Sequence, residues 1–451
     1  MSNENIKNLK HSQTQIKGGG KVIVLDTGSV IGPEAAAMLQ ALHSRSVGGL
    51  ESHLQILSEK GPDNFMKNFY VGYGHKSIGD CGTASIFIEG VSMLVAKAIQ
   101  DWPLYSGQES STRYIDFQTQ PFKNPLGTKE GEEILEAYRK FYIEALEPTK
   151  KYLKTQFPLG EGEKEIIYDK AISARAFDIL RGFLPAGSTT NLAWHTNLRQ
   201  AADKIMLLRH HPLLEVKKVA EAIEEALRLS FPNSFGHERH ENTENYNQEW
   251  MENDYYYHDK NCPDFKMVNN SINTGLLPKK VLEERPMKTE LPKYLAEAGT
   301  LQFEFLLDFG SFRDIQRHRA VIQRMPLLTD EIGFEEWYLR ELPEELRTKA
   351  KLFLEKQEEK IKKLNTSKEE KQYYLAMGYN ISNRLTGNLP ALVYLTELRA
   401  TRFVHPTLRK KAKMMAETLV KLFGKFGLVM HLDKEIDRFD IKRGEHDIVL
   451  K

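Results

Sequence analysis

Two short runs of alternating apolar and polar residues each lead into a helical pattern, one in each half of the chain. Residues 84–90, ASIFIEG, alternate, and residues 91–100, VSMLVAKAIQ, then place apolar residues on one helical face. Residues 301–308, LQFEFLLD, alternate more clearly, and residues 309–316, FGSFRDIQ, continue as a helix. The pattern predicts a strand followed directly by a helix in both halves.

The N-terminal part of the chain predicts one further strand and one further helix. Residues 21–26, KVIVLD, form a short apolar run bounded by glycines, which is typical of a strand. Residues 33–46, PEAAAMLQALHSRS, begin with proline and are rich in alanine, which favours a helix. Residues 1–20 are polar, have no apolar signal-peptide segment, and are expected to form a flexible leader.

The order of these elements indicates an internal repeat. In both halves an asparagine is followed by a helical pattern that ends in Leu-Arg, at residues 197–209 and again at residues 388–399. We interpret this order as one domain that was duplicated and then diverged. The expected organisation is a leader at 1–20, a first domain at 21–238, a polar connecting segment at 239–286 and a second domain at 287–451.

Composition limits the kinds of partner. Lys plus Arg number 63 and Asp plus Glu number 62, so no overall charge draws the chain to nucleic acid or to a membrane surface. Only two cysteines are present, Cys81 and Cys262, which is typical of a cytoplasmic protein without a disulfide framework. The HERH run at 237–240 lacks the spacing of a zinc motif, so no metal is expected.

Two stretches carry candidate chemistry. In FRDIQRHR, residues 312–319, several cationic side chains crowd the end of a helical pattern. Arg317 and Arg319 are two residues apart and cannot share a helix face, but at a helix end both could reach one anion. A basic helix terminus that offsets the helix dipole would explain one or two of these charges. In SGQESSTRY, residues 106–114, hydroxyls and one arginine suit a phosphate, and Glu109 suits a sugar hydroxyl or a backbone amide.

Together these motifs resemble the flavin-dependent thymidylate synthases, whose pattern is RHRxxSxxxxSxRY. Arg317-His318-Arg319 matches the first part, and Leu327 takes the serine position that follows it. In the first half Asp101-Trp102-Pro103 stands in place of RHR, while the second part of the pattern is matched by Ser106, Ser111, Arg113 and Tyr114. Further segments resemble the family at residues 72–92, at Arg181 in DILRGFLP, and at the run that ends in Arg209.

The resemblance implies an α+β (mixed α/β) fold of two tandem domains, each a small, mostly antiparallel sheet with long helices. It also implies active sites split between the halves. The residues assigned to dUMP are Ser111, Arg113, Arg181, Arg209 and Glu109, with Arg209 also catalytic. The residues assigned to FAD are Arg317, His318, Arg319, Gln108 and Asn197.

The implied reaction is the reductive methylation of dUMP to dTMP with reduced FAD, methylene-tetrahydrofolate and NADPH. Because the family is a homotetramer, two duplicated chains would form a homodimer that rebuilds a tetramer-like core. Cys81 and Ala298 replace the family's flavin-contacting histidine, and Asp314 stands where the family often has glutamine beside the nucleotide. Two alternatives remain open: a diverged flavoenzyme acting on another pyrimidine nucleotide, and an inactive nucleotide-binding or scaffold protein.

Overall fold

The structure is a computed structural model that describes residues 11–25, 32–43, 50–72, 76–110, 112 and 117–434. The chain divides into two compact units. The first unit comprises Met1–Thr112 and Thr189–Tyr255, and the second comprises Arg113–Ser188 and Tyr256–Lys451.

Strands within the described residues are short and mostly antiparallel. They are β1 (His11–Gln15), β2 (Lys21–Leu25), β3 (Thr83–Ser92), β4 (Ser106–Glu109), β5 (Thr189–Asn197), β6 (Tyr256–Tyr257), β7 (Phe265–Asn270), β8 (Thr300–Asp308), β9 (Ile322–Gln323), β10 (Met325–Pro326) and β11 (Asn380–Asn388).

Helices within the same residues range from one turn to 28 residues. The α-helices of four or more residues are α1 (Pro33–His43), α2 (Leu50–Lys60), α3 (Met93–Gln100), α4 (Lys129–Gln156), α5 (Glu165–Leu180), α6 (Leu198–Leu208), α7 (Leu214–Ser230), α8 (Glu241–Asn253), α9 (Lys279–Glu283), α10 (Phe309–Ile315), α11 (Glu336–Arg340), α12 (Glu344–Lys362), α13 (Lys368–Lys371), α14 (Leu389–Arg399) and α15 (Pro406–Phe423).

In the first unit a five-stranded antiparallel sheet has the order β1-β2-β3-β5-β4. Alternate residues of β3 are buried, among them Ala84, Ile86 and Ile88, as the alternation in the sequence predicts. Helix α7 packs against β1 and β2, and α6 packs against α7. Helix α3 is buried on every side, including its polar residues Lys97 and Gln100.

In the second unit a four-stranded antiparallel sheet has the order β7-β8-β11-β9, and β6 pairs with β10 in a separate parallel ribbon. Leu301, Phe303 and Phe305 of β8 are fully buried. The long helices α4 and α12 pack together through stacked rings of Phe141 and Phe353, whose centroids are 4.6 Å apart. The predicted α+β class, with small antiparallel sheets and long helices, is therefore confirmed.

The two units share an order of elements. Strand β3 leads directly into α3 and pairs with β5, which leads into α6; likewise β8 leads into α10 and pairs with β11, which leads into α14. Asn197 and Asn388 each cap the following helix, since each side chain accepts a backbone N–H three residues on. The common order is what a duplication requires, and the duplication itself stays a prediction.

Three expectations about organisation need correction. Residues 11–15 are not part of a flexible leader, because they form β1 and pair along their whole length with β2. The polar segment 239–286 is not a plain connection: its α8 buries Asn247 and Met251 one turn apart, and its β7 pairs with β8. Residues 113–188 group with the C-terminal unit, because α4 packs against α12 and the backbone after α5 pairs with residues 373–378.

That last pairing identifies a segment that sequence reasoning missed. Residues 182–187 exchange backbone hydrogen bonds with residues 373–378, for example Met377 N to Leu184 O at 2.8 Å. Both segments begin within a single 3₁₀ turn and lead toward a sheet strand. The run QYYLAMG at 372–378 therefore occupies in the second half the place of RGFLPAG at 181–187, with Gln372 at the position of Arg181.

Candidate functional site

Helix α10 ends as the sequence predicts, with its cationic residues at and beyond its last turn. Asp308 caps its start by accepting the Ser311 N–H at 2.9 Å, and the helix ends at Ile315. Arg313 is buried within the helix, whereas Arg317 and Arg319 lie past its end and are exposed. The helix end thus presents two arginines to solvent.

Asp314 lies among four arginines of the second unit. Arg317 Nη2 is 3.6 Å from Asp314 Oδ1, and the Asp314 side chain is 27% exposed. Burial would raise the pKa of Asp314, but the positive charges of the surrounding arginines lower it below its usual value; they are Arg317, Arg181, Arg399 and Arg313. We call these four residues the arginine cluster. Its net charge is positive, and Asp314 is an ionised acceptor within it.

Arg181 is the most informative member of the arginine cluster. It begins the turn after α5, and its side chain is only 7% exposed. Neither Nε nor Nη2 has a hydrogen-bond partner among the described residues. A buried guanidinium with unused donors is costly unless an acceptor reaches it, so this arrangement fits an oxyanion.

A buried hydrogen-bond network holds the side chain of Arg181 in place. The Tyr338 ring packs against Gly182 so closely that a Cβ added to this glycine would lie 2.6 Å from the ring. The Tyr338 hydroxyl interacts with Arg181. The same hydroxyl donates to Asp308 Oδ1 at 2.6 Å, and Thr407 donates to Asp308 Oδ2 at 2.6 Å. Asp308 therefore holds the cap of α10 and the tyrosine beside Arg181 at the same time.

The network continues to a histidine that carries no charge. His405 Nδ1 lies 2.8 Å from Thr407 Oγ1 and 3.1 Å from Ser311 Oγ, and its Nε2 faces the Asp178 carbonyl at 3.3 Å. Burial lowers the pKa of His405 to about 4, so the ring is neutral near pH 7. The serine, histidine and aspartate are enclosed, and their arrangement serves to hold backbone elements together.

His318, predicted to contact flavin, is held by another residue of the chain, and its role toward flavin stays a prediction. The side chain is buried, and its Nε2 accepts a hydrogen bond from Arg399 Nε at 2.8 Å. Burial lowers the pKa of His318 to about 3, with the positive charge of Arg399 adding to the effect. The neutral ring therefore orients Arg399, a site residue that sequence analysis did not select although its Leu-Arg motif had been noticed.

The remaining predicted residues belong to the first unit or are not described. Ser111 and Arg113 lie outside the described residues. Gln108 is exposed on β4, and the Asn197 side chain is occupied in capping α6. The Glu109 carboxylate is fully buried against Lys97 Nζ at 3.0 Å and accepts a hydrogen bond from Gln100. Their roles in ligand binding stay predictions.

Arg209, the predicted catalytic residue, is bound by a carboxylate of its own chain. Its Nε donates to Glu244 Oε2 at 2.7 Å, and its Nη2 donates to the other oxygen of the same carboxylate. His210 Nε2 lies 2.8 Å from Glu244 Oε2. Because Glu244 is on α8, the segment predicted to be a polar connection supplies the group that engages the planar fork of Arg209.

Two other classes of site find no support in the described part of the chain. No group of three or more His, Cys, Asp or Glu residues there is arranged to hold a metal ion. No helix there is both long and apolar enough to cross a membrane.

Comparisons with known proteins find similarity to one family over part of the chain. Residues 32–233, which are under half of the 451 residues, match the family described as thymidylate synthase complementing protein. A UPF0159 protein of Chlamydia muridarum is 24% identical over 460 aligned residues, which cover 87% of this chain and 85% of the relative. A UPF0159 protein of Thermoplasma acidophilum is 23% identical over 435 aligned residues, which cover 79% of this chain and 86% of the relative. These names state no activity.

Proposed function

We propose that this protein is a flavin-dependent enzyme that transfers a one-carbon unit to a deoxypyrimidine monophosphate, as in the conversion of dUMP to dTMP. The observation that carries the proposal is Arg181, whose buried Nε and Nη2 lack partners among the described residues and which lies in the arginine cluster. The match of residues 32–233 to the thymidylate synthase complementing family supports the same reaction class.

The arginine cluster has a buried part and an exposed part, and Arg319, which is not a member of it, lies two residues beyond the exposed member Arg317. Arg181 is buried and Arg399 is half-buried, so the acceptor that reaches them is a compact anion such as the phosphate of a nucleotide. Arg317 and Arg319 are exposed at the end of α10, where they suit the more extended phosphates of FAD. In this proposal Arg181 serves together with the RHR residues in the second unit, rather than with Arg209 as the sequence indicated.

The fit of FAD to this chain rests on charge and on donor chemistry. Arginine forks bind phosphate oxygens in pairs, and the two exposed arginines are free of the buried network that holds Arg181. FAD, when bound, supplies the redox chemistry, and the folate supplies the one-carbon unit. The chain's own residues bind and orient: His318 fixes Arg399, and Tyr338 with Asp308 fixes Arg181.

The first unit contributes differently in this proposal. Arg209 is engaged by Glu244, and Trp102 donates to Gln200 at 3.0 Å at the place where RHR would stand. We therefore propose that the first unit derives from a duplicated domain but does not bind an anion through Arg209. Assembly as a homodimer that rebuilds a tetramer-like core also belongs to the proposal, and light scattering of the purified protein measures it.

The test uses purified full-length protein incubated with FAD and then desalted. A retained flavin absorption band that shifts on addition of dUMP or dCMP, and methylated product in the presence of methylene-tetrahydrofolate and NADPH, would support the proposal. Arg317→Ala should lose flavin and Arg181→Ala should weaken nucleotide binding, whereas the exposed Arg340→Ala should change neither. Absence of flavin and of nucleotide binding in the unaltered protein would refute the enzyme and favour the scaffold alternative.

A further inference from the structure

Residues 427–433 follow α15 and return to the end of α14, the helix that carries Arg399. We call these residues the strap. The strap begins at Gly427, whose φ of 99° is a left-handed conformation that favours glycine. The next residue, Leu428, is buried, and its N–H donates to the Phe423 carbonyl at 3.2 Å. The strap is therefore anchored to α15 at its first two residues.

Two hydrogen bonds join the strap to α14 and to the turn that follows it. The His431 backbone N–H donates to Glu397 Oε1 at 2.7 Å, two residues before Arg399 in the sequence. Asp433 Oδ2 accepts the backbone N–H of Arg402 at 2.9 Å, three residues after Arg399. The strap therefore holds the chain on both sides of Arg399.

A buried arginine connects the strap to Glu397 a second time. Arg285 Nη1 donates to Glu397 Oε2 at 3.0 Å, and Arg285 Nη2 donates to Glu397 Oε1 at 2.5 Å. Arg285 Nη2 also donates to the Val429 carbonyl at 2.9 Å, and His431 Nε2 donates to the Arg285 carbonyl at 2.8 Å. Because the Glu397 carboxylate accepts from both the arginine and the strap, loss of its charge should loosen the strap and the end of α14 together.

Glu397 and Arg399 lie on different faces of α14. Two residues of a helix are separated by about 200° around its axis, so the two side chains do not face each other. Arg399 Nε donates to His318 at 2.8 Å, whereas Glu397 is held by the strap and by Arg285. Resting on the function proposed above, we infer that Glu397 and the strap are positioning groups that hold Arg399 for the phosphate of the nucleotide.

A purely structural clamp is the competing interpretation of the strap. Breaking such a clamp lowers the free energy of unfolding and leaves the affinity of the folded protein for nucleotide unchanged. If the strap positions Arg399, docking of the strap and binding of the nucleotide are linked, and each favours the other by the same factor. Binding of dUMP to the unaltered protein should then slow amide hydrogen exchange in α14 and in the strap, but not in α12.

The experiment is calorimetric titration of the full-length protein, loaded with FAD where it retains the cofactor, with dUMP. Glu397→Gln should weaken binding about tenfold, a typical size for coupling between two sites. Because Glu397 acts through Arg399, the double variant Glu397→Gln with Arg399→Ala should bind no more weakly than Arg399→Ala alone. The matched control is Glu304→Gln, which alters another arginine–glutamate pair of the same unit, that with Arg384, and should leave the affinity unchanged.

Each result decides the inference. Unchanged affinity in Glu397→Gln, or losses that add in the double variant, would overturn it while the proposed function stands. If Glu397→Gln does not fold, hydrogen exchange of the unaltered protein decides, and a strap whose exchange dUMP leaves unchanged would overturn the inference. If the unaltered protein binds no dUMP, the proposed function fails and the inference fails with it, which differs from a bound nucleotide that ignores the strap.

Discussion

Replacing Lys97 by methionine should destabilise the first unit severely, because it breaks a fully buried ion pair. Lys97 Nζ is 3.0 Å from Glu109 Oε2, and the two side chains are 0% and 1% exposed. Gln100 lies between them, accepting from Lys97 at 2.5 Å and donating to Glu109 at 3.0 Å. Removal of the lysine takes away the ammonium group that lies against the buried Glu109 carboxylate.

The expected decrease in the free energy of unfolding is large compared with the decrease expected when an exposed ion pair is broken. Breaking one side of a buried pair costs about 3–5 kcal/mol, since the remaining charge is kept away from water and has lost the opposite charge of the pair. The control is Lys349→Met, which removes the lysine of an ion pair whose side chains are 58% and 40% exposed. Loss of an exposed pair costs under about 1 kcal/mol, so the stability lost in Lys97→Met should be several-fold larger than the stability lost in Lys349→Met.

Urea unfolding followed by circular dichroism measures both variants. The double variant Lys97→Met with Glu109→Leu should recover most of the lost stability, because a buried pair replaced by apolar residues is often neutral. A cost for Lys97→Met no greater than that for Lys349→Met would refute the reasoning, as would a double variant that is no more stable than the single one. The series also tests Glu109, since Glu109→Gln should change stability and leave nucleotide affinity unaltered if the residue is structural.

Three further predictions follow from the polar contacts of the two units. Glu244→Gln should cost about 1.5–3 kcal/mol in urea unfolding, because it weakens charged hydrogen bonds to Arg209. The hydrogen bonds lower the pKa of Glu244. The stability that they contribute is therefore present above the usual glutamate pKa and is lost as the pH falls below that value toward the lowered pKa. The pKa of His405 is lowered to about 4, so the unfolded chain takes up the proton first, and stability should fall between pH 6.5 and pH 4, less steeply in His405→Gln. Tyr338→Phe should cost about 1–2 kcal/mol and weaken the binding of the nucleotide to Arg181, as titration would show, because Asp308 loses a donor.

Local patterns predicted the elements that carry the site. The strand at 21–26, the helix after Pro33 and both strand–helix pairs are confirmed as β2, α1, β3 with α3, and β8 with α10. Those predictions succeed because alternation and helical spacing are properties of consecutive residues. The position of Arg317 and Arg319 beyond the helix end followed from the same spacing.

Long-range packing is what the sequence did not reveal. Arg181 belongs to the second unit because α5 and the segment after it pair with residues far along the chain, and no local pattern encodes that choice. Strand β1 was missed because HSQTQ is polar and gains its place from pairing with β2. Helix α8 was missed because its buried residues, Asn247 and Met251, do not form an apolar stripe.

The two Leu-Arg motifs differ by one residue in their distance from the capping asparagine, and this difference sets which groups their arginines contact. Arg209 is the twelfth residue after the capping Asn197, whereas Arg399 is the eleventh after the capping Asn388. A single residue turns a helix by about 100°, so the two arginines leave their helices in different directions. Arg399 meets His318 at the arginine cluster, and Arg209 meets Glu244 of α8. The two Leu-Arg motifs therefore share their residues but not their contacts, because the contact that an arginine makes depends on the helix face it occupies and not on the motif that contains it.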